Sequence, residues 1–265
     1  MKISLVPCPF ACTISVALGL AAVLLPQQPR AAGTEIKAFM SIGVQSAVQA
    51  LIPVFERTSG HTVVATWATA AVLNKRLQDG AAADMLISTR AGIDGLVNAG
   101  KIAAGSDAAL ARSGIGIAVR RGMPKPDISS PEALKRTLLM ARSISYSNPA
   151  VGGTSGVHFA GVLTRLGIAG QMQGKTKFPP PSGFSANLLV GGEVDLAIQQ
   201  IPELASVAGT ELVGPLPGDL QLMTTYVAGI PTAAGQPDAA KALVRFLQSP
   251  QALAVMQAKG LEGVK

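Results

Sequence analysis

The sequence predicts an α/β fold in which mainly parallel sheets are flanked by helices. Short runs rich in β-branched residues alternate with stretches that repeat apolar residues at helical spacing. Glycine, proline, serine and threonine mark the junctions between these runs. Because parallel strands are joined by crossovers that usually contain a helix, this alternation favours parallel sheets with helices on both faces.

The first 65 residues after position 34 contain three predicted strand–helix pairs. The strands cover residues 35–40, 61–66 and 84–88. The helix after the first strand ends near Gly60 and contains Pro53, which should kink it. This βαβαβα order is the observation on which the fold class mainly depends.

The second half of the chain adds elements of the same kinds. Strands are predicted at residues 114–119, 143–147, 195–199 and 221–229, and C-terminal helices at 237–248 and 250–259. Ser129 and Glu132 have the spacing of a capping box. Residues 175–182, with three consecutive prolines, should form an extended loop or an edge strand.

These elements fit one large domain or two lobes. The polar, proline-containing segment 120–127 is a candidate crossing between lobes, and residues 222–229 are a candidate return. Two lobes with two crossings would leave a ligand cleft between them, where strand ends and helix N-termini converge.

The N-terminal residues 1–33 have the pattern of a secretory signal peptide. Lys2 precedes an apolar run of about 15 residues, short for a membrane span of about 20, and Ala31-Ala32-Gly33 supplies a small-residue cleavage site. We therefore expect a periplasmic protein. Cys8 and Cys12, the two cysteines, lie in this signal, so no disulfide is expected after cleavage.

Charge and composition exclude several classes of function. Without Lys2 and Arg30, 20 basic residues oppose 15 acidic ones, a mild excess that helps to collect small anions. The basic residues are scattered, and one Trp and two Tyr offer few stacking partners, so no nucleic-acid partner is expected. No metal-ligand spacing or cofactor motif is present, and we expect neither a metal nor a cofactor.

Three strand-to-helix turns are built from small residues that donate hydrogen bonds. They contain Ser41 and Gly43, Thr69 and Ala70 after Trp67, and the glycine-rich stretch Gly152-Gly153-Thr154-Ser155-Gly156. Backbone N–H groups and hydroxyls at helix N-termini favour an anion. A phosphate, a free oxyanion and a carboxylate all fit these turns.

Two catalytic motifs fail on spacing or context. Gly174-Lys175-Thr176 follows a predicted helix and precedes the prolines, whereas a phosphate loop follows a strand and opens a helix. Gly153 to Val157 lacks the spacing of a nucleophile elbow. Ser155 and His158 lie three residues apart, so an exported serine hydrolase stays open as an alternative.

Five stretches resemble the periplasmic solute-binding proteins of ABC importers, and within them the molybdate-binding branch. They are residues 38–56 (AFMSIGVQSAVQALIPVFE), 77–88 (LQDGAAADMLIS), 112–120 (RSGIGIAVR), 191–198 (GGEVDLAI) and 240–252 (AKALVRFLQSPQA). The resemblance implies the two-lobed class II periplasmic binding fold, with lobe one at residues 34–117 and 226–265 and lobe two at 118–225. It also implies a monomer that is not an enzyme and that delivers a small anion to a membrane permease.

The same resemblance places the candidate ligand contacts. The family's first serine falls on Gly43, near Ser41; its second falls on Ala70 or Ala71, beside Thr69; its tyrosine falls on Gln200. Thr154, Ser155 and Gly156 keep the helix-start contact, and Trp67 and His158 are further candidates. We therefore expect a changed ligand, either another oxyanion or a small organic acid. Serine at position 43 or 70 should then tighten molybdate binding.

A ligand-dependent extracytoplasmic sensor is a further alternative. Such a module would close its lobes on the same ligand and engage a receptor instead of a permease.

Overall fold

The structure is a computed structural model that describes residue 2 and residues 33–264. Apart from Lys2 and Gly33, the predicted signal peptide with its two cysteines lies outside the described residues. Within the described part, no helix combines the length and apolar character that crossing a membrane requires.

The described residues form ten strands and ten α-helices. The strands are β1 (Glu35–Ser41), β2 (Thr62–Ala68), β3 (Met85–Thr89), β4 (Ala108–Ser113), β5 (Ile115–Arg120), β6 (Ile144–Tyr146), β7 (Thr176–Lys177), β8 (Leu196–Gln200), β9 (Thr210–Pro215) and β10 (Thr224–Gly229). The helices are α1 (Gln45–Ser59), α2 (Ala70–Gln78), α3 (Arg90–Asn98), α4 (Pro131–Met140), α5 (Thr154–Arg165), α6 (Ala169–Gln173), α7 (Ser185–Val190), α8 (Ile201–Ala205), α9 (Pro237–Leu247) and α10 (Pro250–Ala258).

The strands form two five-stranded sheets of equivalent topology. Their orders are β2-β1-β3-β10-β4 and β7-β6-β8-β5-β9. In the first sheet β1, β2 and β3 are parallel, and β10 is antiparallel to both of its neighbours. In the second sheet β6, β7 and β8 are parallel, and β5 is antiparallel to both of its neighbours. Four strands of each sheet therefore run in one direction, and the predicted two-lobed α/β fold class is confirmed.

Each sheet has apolar side chains on both faces. In β1, Ile36, Ala38 and Met40 belong to the cluster that includes α1 and α9, whereas Phe39 belongs to the cluster of α2 and α3. This alternation has the period of two expected of a strand. The second sheet likewise separates two clusters, and helices cover both faces as the strand–helix alternation predicts.

The chain passes between the sheets twice. β4 ends at Ser113 in the first sheet and β5 begins at Ile115 in the second, so the first passage is at Gly114 and not in the predicted segment 120–127. The return lies between Pro215 and Thr224. The predicted boundaries, after residues 117 and 225, thus fall inside β5 and β10, and we propose lobe boundaries at the two passages instead.

The side chains of two glutamines form hydrogen bonds where the chain passes between the two sheets. The side-chain amide of Gln221 accepts from the Ile115 backbone N–H and donates to the Ile115 carbonyl, each at 2.9 Å. The hydrogen-bond pattern orients Gln200 so that its nitrogen donates to Ser113 and Gly114 while its oxygen accepts from the Thr224 hydroxyl at 2.9 Å. Gln200 therefore contacts both passages.

Most predicted elements are present within a few residues of their predicted ends, and the exceptions are short. β4, β9 and the helices α6, α7 and α8 were not predicted, and the last three have only five or six residues each. The capping box is also wrong, because Ser130, not Ser129, accepts from the Ala133 N–H at 3.1 Å. The Ser129 hydroxyl instead donates to Asp127.

Candidate ligand-binding site

A small cavity lies between the two lobes. Its free volume is about 310 Å³, including the part open to solvent. It is lined by Ser41, Ile42, Thr69, Ala70, Ser147, Gly153, Thr154, Ser155, Gln200, Glu203 and Tyr226. No lysine, arginine or histidine is among these lining residues, so a bound anion would depend on neutral hydrogen-bond donors.

The lobe-one wall consists of two turns that follow parallel strands. Ser41 ends β1, and its hydroxyl accepts from the Gly43 N–H at 3.4 Å. Thr69 precedes α2 without capping it, and its hydroxyl oxygen is buried with no hydrogen-bond partner among the described residues. A buried hydroxyl without a partner is uncommon, and a ligand oxygen would satisfy it.

The lobe-two wall is the N-terminus of α5. Gly152 adopts a left-handed conformation (φ 72°), and Gly153 precedes the helix without a side-chain cap. A Cβ on Gly156 would overlap the Ser147 carbonyl oxygen, so glycine lets the first turn of α5 lie directly against the end of β6. The uncapped N–H groups of this turn therefore lie beside the cavity.

Glu203 is the buried acid of the cavity. It lies on α8, is 5% exposed, and its Oε2 atom has no hydrogen-bond partner among the described residues. Burial raises the pKa of Glu203 to about 8, although hydrogen bonding to Gln200 and Gln199 opposes this. At neutral pH the carboxyl is therefore mostly protonated and able to donate to an anion.

Tyr226 comes from β10 and lies opposite residue 43. A Cβ on Gly43 would overlap the Tyr226 hydroxyl, so the ring occupies the space of any larger residue at position 43. Burial first, and the charge of Glu203 second, raise the pKa of Tyr226 well above its ordinary value. The phenol thus remains protonated and is available to a ligand as a hydrogen-bond donor.

The structure brings together six of the ten residues expected to bind the ligand. Those that line the cavity are Ser41, Thr69, Ala70, Thr154, Ser155 and Gln200. Gly43 and Gly156 do not line it, but their lack of a side chain allows Tyr226 and Ser147 to approach. Their roles toward a ligand remain predictions.

Two of the ten residues face elsewhere. The His158 Nε2 atom lies 2.7 Å from the Leu220 carbonyl oxygen, and the described residues show no hydrogen bond between His158 and Ser155. This arrangement argues against the serine hydrolase alternative. Trp67 is half-buried and packs on the core cluster of lobe one. Gln200, by contrast, is only 2% exposed and lines the cavity.

Sequence reasoning missed Ser147, Glu203 and Tyr226. Glu203 is the single acid in the otherwise uncharged stretch 196–205, LAIQQIPELA, and that isolation was the available signal. Nothing in the sequence around Tyr226 indicated that it lines the site, because its position opposite Gly43 depends on β10 joining the sheet of lobe one. Ser147 is held by Gln199, which is fully buried and donates to its hydroxyl at 3.1 Å.

A larger groove lies on lobe two. Its free volume is about 1,110 Å³, and it includes the exposed Met140 and the ion pair between Arg142 and Asp195. The predicted binding residues do not line it. We therefore place the candidate site in the smaller cavity, where the buried polar groups converge.

Comparisons of the sequence give one family and one curated relative. The family model described as "Bacterial extracellular solute-binding protein" matches residues 36–262. An aconitate isomerase from Pseudomonas sp. is 32% identical over 256 residues, which cover 93% of this chain and 96% of that protein.

Solved structures of similar fold include two anion-binding proteins. The periplasmic molybdate-binding protein of Azotobacter vinelandii has a TM-score of 0.73 at 19% identity, covering 87% of this chain and all of that one. A sulfate-binding protein of Mycobacterium tuberculosis has a TM-score of 0.69 at 20% identity, covering 88% of each chain. At these identities the likeness concerns the fold.

Proposed function

Because the chain belongs to the bacterial extracellular solute-binding proteins, we propose that it binds a small polycarboxylate of the aconitate type in the cleft between its lobes. In this proposal the closed protein delivers the ligand to an ABC permease in the membrane. The observation that supports this most is the buried Glu203 carboxyl, whose Oε2 atom has no hydrogen-bond partner among the described residues, in a cavity whose other lining side chains are uncharged. A protonated carboxyl donates to an anion, whereas an ionised one would repel it.

Three features favour a carboxylate over molybdate. The position of the family's first serine is Gly43, and Tyr226 fills the space beside it. Gln200 occupies the position of the family's tyrosine. Its side-chain amide already hydrogen-bonds to Ser113, Gly114 and Thr224, where the chain passes between the lobes. The curated relative that covers nearly the whole chain is named for aconitate, a tricarboxylate.

A second candidate function is isomerisation of aconitate itself. The identity of 32% over 93% of the chain supports it, and so does a buried acid in the cavity wall. The expectation that the chain is not an enzyme therefore remains a prediction. Delivery to a permease and isomerisation require the same ligand, so one binding experiment precedes both.

The test of binding is a thermal-shift series on the chain from residue 34 onward. The ligands are cis- and trans-aconitate, citrate, molybdate, tungstate and sulfate. A ligand at a hundred times its dissociation constant adds about 2.7 kcal/mol, which corresponds to about 5–10 °C for a protein of this size. We expect a shift with the aconitates. A shift with molybdate and tungstate alone would contradict the proposal.

Transport and turnover are then separated by two measurements. Uptake of labelled aconitate by cells that lack the gene should fall if the protein serves a permease. Proton NMR of either isomer incubated with the purified protein should show the other isomer if the protein is an enzyme. An unchanged uptake together with turnover would favour the isomerase over the importer.

A further inference from the structure

Glu203 has a feature that ligand binding alone does not require. Uncapped helix ends and the Thr69 hydroxyl already offer donors to an anion. Lobe two nevertheless also contributes Glu203, which is 95% removed from solvent and whose Oε2 atom has no hydrogen-bond partner in the part of the chain that the structure describes. Leaving a buried polar atom unpaired is destabilising. Its place in the cavity points to a role with the ligand.

Aconitate, the proposed ligand, can isomerise by a proton transfer that a single carboxyl group can catalyse. Aconitate has a methylene carbon between one carboxylate and its carbon–carbon double bond. Removal of a methylene proton lets the C–H electron pair form a new double bond, while the old π pair accepts a proton at the far alkene carbon. The product has the same constitution, and the torsion about the bond between the methylene carbon and the central carbon, as that bond becomes double, sets whether the product is cis or trans.

We propose that Glu203 takes this proton from the carbon beside a ligand carboxylate and returns it two carbons away. The step uses the ionised form of Glu203, which is the minor form at neutral pH because its pKa is about 8. This carboxylate gains an O–H bond as the C–H bond breaks, and loses it as the new C–H bond forms. No oxidant or reductant is involved, and the carboxyl ends the cycle as it began. This assignment rests on the proposed binding of aconitate and on the second candidate function.

The surroundings of Glu203 support the assignment. Tyr226 on β10 is the other titratable side chain that lines the cavity, and its raised pKa keeps it protonated, so it donates and does not accept protons. The remaining side chains that line the cavity are uncharged. Burial also brings the pKa of Glu203 to about 8, near the operating range that suits a general base.

Proton removal also requires stabilisation of the negative charge that develops on the ligand, and the N-terminus of α5 is placed to provide it. Negative charge that develops on a ligand carboxylate during proton removal is stabilised by fixed N–H dipoles in a site with little water. Thr154 and Ser155 begin α5 and line the same cavity as Glu203. A carboxylate held there has its neighbouring carbons in the space that Glu203 borders.

The test is Glu203→Gln in the chain from residue 34 onward, with trans- and cis-aconitate as the probes. Glutamine keeps the shape of the side chain and donates through its amide, but it does not accept a proton. We expect the isomerisation rate by proton NMR to fall at least about 100-fold, in the range of general acid–base catalysis. The dissociation constant by calorimetry should stay within about threefold.

Glu193→Gln is the matched control, because Glu193 is an exposed glutamate on the same lobe. It should leave both the rate and the affinity unchanged. In the wild-type protein, kcat/KM should rise with pH through a midpoint near pH 8, the pKa of Glu203, which a purely structural role of Glu203 would not produce.

The possible failures differ in what they overturn. A wild-type protein that binds no carboxylate overturns the proposed function and this inference with it. A wild-type protein that binds aconitate without isomerising it overturns only the inference. A Glu203→Gln protein that isomerises aconitate within tenfold of the wild-type rate also overturns the inference, while leaving the isomerase function standing.

Discussion

The Tyr226 hydroxyl lies where a Cβ atom on residue 43 would be placed, so glycine at position 43 is what allows Tyr226 into the cavity wall. The two residues come from opposite ends of the chain, on the turn after β1 and on β10. This contact changes the expectation that serine at position 43 would tighten molybdate binding. A serine there would displace Tyr226 before it reached a ligand.

Gly43→Ala should therefore destabilise the protein by about 1–3 kcal/mol, the range for forcing extra atoms into a packed site. Urea unfolding measures the change. Gly95→Ala is the control, because an added Cβ on Gly95 in α3 meets nothing within 4 Å and should be neutral or stabilising. If the two variants unfold at the same urea concentration, Tyr226 does not pack on Gly43 as described.

Two glycines of α5 provide a second comparison. An added Cβ on Gly156 would overlap the Ser147 carbonyl oxygen, whereas one on Gly161 meets nothing within 4 Å. Gly156→Ala should push the first turn of α5 away from β6 and weaken aconitate binding at least about tenfold, because misplaced donors lose their hydrogen bonds. Gly161→Ala should leave the dissociation constant unchanged. Equal affinities in calorimetry would argue against ligand contact at the α5 N-terminus.

The sequence predicted those features of the fold and site that depend on residues close to one another in the chain. The turns that contain Ser41, Thr69 and Thr154 were found because a short strand, small polar residues and a helix are adjacent in the chain. Ser41 and Thr69 converge because β1 and β2 are parallel and end at the same edge of the first sheet, whereas Thr154 follows β6 of the second sheet and lines the same cavity from lobe two. The resemblance to solute-binding proteins is confirmed by the family that matches residues 36–262.

What the sequence did not predict depends on contacts between distant segments. Tyr226 faces Gly43 across more than 180 residues, and Gln200 reaches Ser113 and Thr224 on two other strands. The passage at Gly114 was placed too late because β4, unpredicted, ends one residue before it and β5 begins one residue after it. Periodicity within a segment does not report which sheet the segment joins.

The passage between the lobes should depend on Gln221. Its amide makes paired hydrogen bonds with the Ile115 backbone at 2.9 Å, and Gln221→Ala would leave both groups without that partner. Loss of such bonds lowers stability by about 1–3 kcal/mol. Hydrogen exchange of the Ile115 amide should become faster, while Gln257→Ala, a change at an exposed position of α10, should leave it unchanged. Unchanged exchange in Gln221→Ala would contradict the paired hydrogen bonds between Gln221 and Ile115.

Glu203 should make stability depend on pH in an unusual direction. Burial raises its pKa in the folded protein to about 8 from the ordinary 4.5, so between these values the folded state holds a proton that the unfolded state has lost. The contribution to the free energy of unfolding is fully present below about pH 4.5. It is lost as pH rises to about 8, with a total of at most about 5 kcal/mol.

Urea unfolding of the chain from residue 34 onward at pH 5, 6, 7 and 8 measures this slope. Other carboxyls with shifted pKa values do not interfere, because those of Asp107, Asp127, Asp195 and Glu211 are lowered and their contributions change below this window. Glu203→Gln should abolish the decline, since glutamine does not titrate, and Glu193→Gln should retain it. A wild-type stability that is constant from pH 5 to pH 8 would mean that Glu203 is ionised in the folded protein, which would also remove the basis for anion binding beside it.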